Sequence, residues 1–276
     1  MVTVGLHEGG GEMTYSPNGF TVGRTPANTA GAPTVLLIHG FLDDATVWDG
    51  LVDYLAGEVA AMRYDLPRFG TRSGSVADAR IVTLDSLAAE AGDIVTGIDG
   101  PVIVVDQSLG TQVAEPVAAR HPDQVRGLVL LTPVPPGGTQ LPDEVVAPFG
   151  AVGGDRVAQR RLRAELSPHL SEEQLDRLAD IGTPVAADVT AHYVRIWNDG
   201  VNNAPATSAF GGPVLIIRGD ADAFVTEQMI EAISPRFVQA EVKVIDNGGH
   251  WVQVEYPGAV ATMIVDFTDA IAGVTP

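Results

Sequence analysis

Short runs of apolar, β-branched residues recur along the chain and alternate with amphipathic stretches. The clearest run is Val102-Ile103-Val104-Val105, in which no position is polar. A run of this kind is typical of a strand that is buried on both faces of a sheet. Further strands are predicted at 2–6, 19–23, 35–38, 59–64, 127–131, 214–217 and 240–245.

Helical periodicity fills most of the intervals between these runs. Helices are predicted at 44–57, 83–98, 112–121 and 257–271. Strands that alternate with helices indicate βαβ units, and the apolar character of the strands indicates helices on both faces of the sheet. The expected fold class is therefore α/β, with a mostly parallel, doubly wound sheet.

The alternation stops between residues 133 and 212. Four helices with no strand between them are predicted there, at about 142–149, 155–166, 171–181 and 185–198. The third begins at Ser171-Glu172-Glu173-Gln174, which has the form of a capping box. We expect residues 1–132 and 213–276 to form the α/β core. Residues 133–212 are expected to form a helical cap, or lid, over the carboxyl ends of the strands, where such sheets bind ligands.

One serine follows directly on the most apolar strand. The run at 102–105 leads through Asp106 and Gln107 into Ser108, and a predicted helix comes next. A serine on a strand-to-helix turn is held at the end of the sheet, so its Oγ can act as a nucleophile. The N-terminus of the helix offers backbone N–H groups to a developing negative charge. Ser108 is therefore the candidate nucleophile.

Four motifs in this chain order resemble those of the α/β-hydrolase fold superfamily, and the resemblance covers nearly all of residues 30–274. They are His39-Gly40-Phe41, Asp106-Gln107-Ser108-Leu109-Gly110, Gly219-Asp220-Ala221-Asp222 and Gly248-Gly249-His250-Trp251. The resemblance implies a triad of Ser108, His250 and Asp222, with Asp220 as the competing acid. It also implies an oxyanion hole formed by the backbone N–H groups of Phe41 and Leu109.

The chain departs from the family pattern Gly-x-Ser-x-Gly at its first position, where Asp106 replaces glycine. A carboxylate at this position would lie near the N-terminus of the following helix, where a negative charge is favourable. We therefore expect Asp106 to have a structural role as a helix-terminus charge.

Four side chains are candidates for the walls of a substrate pocket. Trp251 and Val225 flank predicted catalytic positions. Tyr193 and Trp197 stand at i and i+4 in the last predicted helix of the cap, so they share one face of it. That face either contacts substrate or packs the cap onto the core, and the sequence favours neither.

Charge and composition argue against several classes of partner. The chain carries 16 basic and 35 acidic residues, and its net charge of −19 repels nucleic acid and anionic membranes. It has no cysteine, and its six histidines show no zinc-binding spacing, so neither a metal nor a cofactor is predicted. The N-terminus lacks the features of a secretory signal, so we expect a cytoplasmic protein. Homo-oligomer formation stays open.

The expected function is that of a cofactor-independent serine hydrolase. The substrate would be a small or medium apolar ester or lactone, cleaved through an acyl-enzyme. One alternative is an enzyme of another class with the same fold: a C–C hydrolase, or an epoxide hydrolase or dehalogenase in which Asp106 is the nucleophile. Epoxide hydrolases and dehalogenases, however, carry aspartate at the position that aligns with Ser108, which lies two residues after Asp106. The other alternative is a non-catalytic, hydrolase-like receptor that only holds a ligand.

Overall fold

The computed structural model describes residues 12–15, 21–25, 32–73 and 81–273. Within these residues the strands form one eight-stranded sheet. The strands are β1 (Glu12–Tyr15), β2 (Thr21–Thr25), β3 (Thr34–Ile38), β4 (Ala60–Tyr64), β5 (Val102–Gln107), β6 (Val125–Leu131), β7 (Pro213–Gly219) and β8 (Gln239–Ile245). The strand predicted at 2–6 lies outside the described residues.

Ten α-helices connect and flank these strands in the described part of the chain. They are α1 (Asp49–Leu55), α2 (Leu84–Thr96), α3 (Thr111–Arg120), α4 (Asp143–Gly150), α5 (Arg156–Leu166), α6 (Glu172–Gly182), α7 (Ala187–Asp199), α8 (Glu227–Ile233), α9 (Val252–Glu255) and α10 (Pro257–Ala272). A 3₁₀ turn at Ser108–Gly110 joins β5 to α3.

The sheet is parallel from β4 to β8 and antiparallel at the other edge. Its strand order is β1-β2-β4-β3-β5-β6-β7-β8, and only the pairings of β1 with β2 and of β2 with β4 are antiparallel. The six parallel strands all point the same way, so the loops that follow β3, β5, β7 and β8 emerge at one edge.

Helices cover the centre of the sheet on both faces. All residues of β3 and β5 are buried, which explains why these strands read as continuous apolar runs. Helix α1 packs against α10, and α2 packs against α3, which provides the two helical layers. The predicted fold class, a mostly parallel, doubly wound sheet, is confirmed.

Helices α4 to α7 occupy the chain between β6 and β7. Helix α4 packs against α7, and α5 packs against α6. The capping box of α6 forms as predicted: the Gln174 backbone N–H donates to Ser171 Oγ, and the Ser171 backbone N–H donates to Gln174 Oε1. We name α4 to α7 the four-helix segment. The predicted boundaries of the cap at 133 and 212 stay a prediction.

No helix in the described ranges has both the length and the apolar character that a membrane crossing requires.

Candidate active site

Ser108 sits on a sharp turn at the end of β5. Its backbone is left-handed, with φ of 53°, a conformation that a non-glycine residue adopts only when the surrounding structure holds it there. The turn brings Gly110 against β3, and a Cβ at Gly110 would lie 2.9 Å from the Ile38 carbonyl oxygen. Glycine is therefore needed at 110, and the close approach lets Ser108 stand at the edge of the sheet.

His250 and Asp222 come together from the loops after β8 and β7. His250 Nδ1 lies 2.8 Å from Asp222 Oδ2, and both side chains are buried. Asp222 Oδ1 accepts the backbone N–H groups of Phe224 and Val225 at 2.8 and 3.0 Å. These bonds fix the carboxylate, so a neutral His250 donates from Nδ1 and keeps Nε2 as an acceptor.

The loop after β3 is braced by its own histidine. His39 Nε2 accepts the Leu66 N–H at 2.9 Å, so Nδ1 carries the proton and donates to the Gly40 carbonyl at 2.9 Å. A Cβ at Gly40 would lie 2.0 Å from Gln107 Oε1, which explains the glycine there. The loop therefore lies close to Gln107, the residue before Ser108, and places Phe41 next to the turn that carries Ser108.

An apolar cavity contains Ser108 and His250 together. Its walls come from both the sheet edge and the four-helix segment, and they hold five aromatic rings. The lining residues are Phe41, Leu42, Ser108, Phe149, Leu162, Leu166, Trp197, Phe224, His250 and Trp251. The two side chains best placed to react thus face one apolar space.

The structure separates the four predicted pocket residues into two groups. Trp251 and Trp197 line the cavity. Val225 is fully buried behind Asp222, and Tyr193 donates from its hydroxyl to the Pro67 carbonyl at 2.8 Å, so neither lines it. Tyr193 therefore packs the four-helix segment onto the core, which is one of the two roles left open for its helix face.

Several residues that hold His250 in place carry no sequence signal of their own. Gln107 Nε2 and Thr132 Oγ1 each donate to the His250 carbonyl at 3.1 Å. From the four-helix segment, the Leu166 carbonyl accepts the His250 N–H, also at 3.1 Å. Only Gln107 could have been suspected, because it precedes Ser108. The other two lie far away in the sequence.

Asp106 is completely buried below the serine turn. Neither of its carboxyl oxygens has a hydrogen-bond partner among the described residues. Burial, with a smaller contribution from the negative charge of Glu115, raises the pKa of Asp106 well above its usual range. Burial therefore favours the neutral acid, and the expected role as a helix-terminus charge is not supported.

Asp106→Asn protein should gain stability relative to wild type as the pH rises. Because the folded-state pKa is raised, the contribution of Asp106 to stability is full at acidic pH and is lost as pH rises through that pKa. Asparagine has almost the same shape and does not titrate. Urea unfolding of both proteins from pH 5 to pH 9 measures the difference. Parallel stability profiles would show that Asp106 ionises freely in the folded state.

Glu255 is a second perturbed carboxyl, and it touches the loop of His250. Its Oε2 accepts the Gly249 N–H at 2.8 Å and the Ser167 hydroxyl at 3.3 Å. Burial raises the pKa of Glu255 to about 7 in spite of these two hydrogen bonds. The charge of Glu255 therefore changes near neutral pH. Glu255 is bonded to Gly249, the residue before His250.

Glu255→Gln protein should lose part of the pH dependence of stability. A folded-state pKa raised from 4.5 to about 7 means that the contribution is full below 4.5 and is lost as pH rises to about 7. Wild type should lose roughly 1–2 kcal/mol across this window relative to the variant, less than the full shift because the carboxyl is partly exposed. Thermal unfolding at half-unit pH steps tests this, and equal slopes in the two proteins would contradict it.

The described residues contain no group of three or more His, Asp or Glu side chains placed to hold a metal ion. The cavity itself brings together a hydroxyl, Ser108, and an imidazole, His250, and a buried carboxylate, Asp222, is bonded to that imidazole.

A model of the α/β-hydrolase family matches residues 35–263, and the chain belongs to this family. It is 28% identical over 253 residues to a pimeloyl-[acyl-carrier protein] methyl ester esterase of Neisseria meningitidis, a match that covers 85% of this chain and 92% of that protein. It is also 28% identical over 259 residues to lipase LipV of Mycobacterium tuberculosis, covering 85% and 93%. The superfamily resemblance is confirmed, and these relatives support a hydrolase.

The fold is shared with solved structures at lower identity. A bromoperoxidase from Bacillus anthracis superposes with a TM-score of 0.79 at 17% identity, covering 93% of this chain and 99% of that chain. This likeness concerns the fold alone.

Proposed function

We propose that this protein is a cofactor-independent serine hydrolase that cleaves small or medium apolar esters or lactones through an acyl-enzyme. The observation that carries the proposal is the shared cavity: Ser108, on a left-handed turn, faces the same apolar space as His250, whose Nδ1 is held by Asp222. This combination supplies a nucleophile, a base and an orienting acid.

The proposed reaction has two halves. His250 Nε2 takes the proton of Ser108 Oγ as the oxygen attacks the ester carbonyl, and the same proton then goes to the leaving alkoxide, which departs as an alcohol. His250 next takes a proton from a water molecule that attacks the acyl-enzyme, and it returns this proton to Ser108 Oγ as the acyl bond breaks and the carboxylic acid leaves. Asp222 orients His250 and stabilises the imidazolium formed in each half.

Two backbone N–H groups would stabilise the negative charge that develops on the carbonyl oxygen of the substrate. The Leu109 N–H lies within the 3₁₀ turn that begins at Ser108, and the Phe41 N–H comes from the loop that His39 braces. A donor of this kind contributes about 3 kcal/mol to transition-state stabilisation. Phe41 also lines the cavity, which supports its placement beside the reacting carbonyl.

The cavity wall supports an uncharged, apolar substrate. The five rings and three leucines around Ser108 bring no ionised side chain to the space. A carboxylate or phosphate on the substrate would lose its hydration there without gaining a partner. The names of the two relatives, an ester esterase and a lipase, also favour ester chemistry.

The geometry gives two of the rival functions less support. Asp106 as nucleophile would have to react from a fully buried position that does not line the cavity. A receptor without catalysis would have no need for a serine held in a left-handed turn beside a histidine paired with a carboxylate.

The test is hydrolysis of p-nitrophenyl esters from acetate to decanoate, of γ-lactones and of p-nitroanilides by the purified protein. Labelling of Ser108 by a fluorophosphonate, read by peptide mass spectrometry, accompanies it. We expect ester or lactone turnover, weak amide turnover and labelling at Ser108 alone. Folded protein that neither turns over any substrate nor labels would favour the receptor.

A further inference from the structure

A buried ion pair joins the four-helix segment to the loop after β3. Arg163, in α5, and Asp43 are both completely buried, and Arg163 Nη1 lies 2.8 Å from Asp43 Oδ1. The second arm of the guanidinium, Nη2, donates to the Leu42 carbonyl at 2.7 Å. Arginine thus uses its planar fork on two consecutive residues of the loop, next to Phe41.

The same carboxylate also holds the residue after His250. Asp43 Oδ2 accepts the indole N–H of Trp251 at 2.8 Å. The guanidinium carbon of Arg163 lies 4.8 Å from the centre of the Trp251 ring, within range of a cation–π interaction. Asp43 and Arg163 therefore connect the loop that carries Phe41 to the loop that carries His250.

The loop held in this way is strained. Leu42 has φ of 71°, in the left-handed region, where a residue with a side chain requires support from its surroundings. The carbonyl of this residue is the one that Arg163 binds. Loss of the guanidinium would free Leu42 to relax, and a change in the Leu42 backbone would shift Phe41, its neighbour in the chain.

Stability alone does not account for a buried pair of this kind. The desolvation of two charges offsets most of their attraction, and apolar substitutes are often as stable. Nor does Arg163 serve as a substrate contact, because Leu42 and Trp251 line the cavity and Arg163 does not. The role that remains is geometric: the planar guanidinium of Arg163, together with Asp43, fixes the loop after β3 relative to the loop that carries His250.

We propose that Arg163 is a positioning residue that sets the direction of the Phe41 N–H through Asp43 and Leu42. It also fixes that donor relative to His250 through Trp251. This inference rests on the proposed function, since it assigns Arg163 to the oxyanion donors of that site. It makes the four-helix segment part of the hydrolytic machinery as well as a wall of the cavity.

The test compares Arg163→Met, Arg163→Lys and the double variant Arg163→Met/Asp43→Asn. The double variant leaves no buried charge at this place, and the amide oxygen of its asparagine can still accept the indole N–H of Trp251. We therefore expect the double variant to fold even if Arg163→Met alone does not. Arg161→Met is the matched control, because Arg161 lies on the same helix with a side chain that is 76% exposed and pairs with Glu165 one turn away. Ester kcat and KM, thermal unfolding and the affinity for an alkylboronic acid are measured on each.

We expect kcat of Arg163→Met and of the double variant to fall roughly 30- to 100-fold, part of the 10²–10³ that a lost oxyanion donor costs. KM should change less than threefold. Boronate affinity should fall in parallel with kcat, because the tetrahedral adduct needs the same donors. Lysine should restore only part of kcat, since it cannot bind Asp43 and Leu42 as a planar fork.

The outcomes separate the two hypotheses. A double variant with kcat and boronate affinity within threefold of wild type overturns the role of Arg163, while the hydrolase stands. A variant that loses thermal stability and raises KM with kcat unchanged also overturns it. Wild-type protein that shows neither ester turnover nor Ser108 labelling overturns the proposed function and this inference together.

Discussion

Ser108→Ala protein is expected to fold like wild type and to hydrolyse esters roughly 10⁴- to 10⁶-fold more slowly. The substitution removes one oxygen from a turn that Gly110 and β3 define, so the loss concerns the reaction and not the fold. His250→Ala should be about as damaging. The double variant should be little worse than either single one, because a nucleophile without its base is already inactive. Burst-phase and steady-state kinetics with a p-nitrophenyl ester measure the losses.

Ser171→Ala is the matched control for this prediction. Ser171 caps α6 and does not line the cavity, so its loss should cost about 1 kcal/mol of stability and leave turnover unchanged. If Ser108→Ala retained more than a hundredth of the wild-type rate, another residue would be the nucleophile. Losses that add between Ser108→Ala and His250→Ala would show that the two residues do not act as a unit.

Most of the fold was predictable because local signals agreed with one another. Strands β3 to β8 all begin and end within two residues of their predicted bounds. Helix α2 begins after Thr83, whose capping box with Ser86 fixes its start, close to the predicted 83. The four helices between β6 and β7 also begin and end within two residues of their predicted positions. No helix was predicted over α8, whose seven residues are too few for a periodic signal.

The candidate site was predictable only where a motif lies next to a strand end. Ser108, His250 and Asp222 each follow a parallel strand, so topology alone brings them to one edge of the sheet. Asp43 had no such signal: it stands in an acidic pair, and its cation lies 120 residues away in α5. The surroundings of Asp106 were not predictable either. The sequence does not show whether a buried carboxyl finds a hydrogen-bond partner elsewhere in the chain.

Asp222→Asn protein is expected to keep its fold and to lose roughly 10⁴ in kcat, as in other triads. Asparagine can still accept the Phe224 and Val225 N–H groups through its oxygen, so the loop keeps its shape. Its amide group would then point at His250 Nδ1 and make that nitrogen an acceptor. The proton moves to Nε2, and the imidazole can no longer take the proton of Ser108.

Asp220→Asn is the control, because the two aspartates share one loop and differ in what they bind. Asp220 is exposed and accepts the Asn247 N–H at 2.6 Å, a contact that asparagine can keep, so kcat should fall less than tenfold. Steady-state kinetics of both variants with the same ester give the ranking. The downfield proton resonance of a His250 Nδ1–H bonded to a carboxylate, present in wild type and in Asp220→Asn, should be absent from Asp222→Asn. A larger loss in Asp220→Asn than in Asp222→Asn would move the acid by two residues. The 2.8 Å contact between Asp222 and His250 would then be a structural ion pair without a part in the reaction.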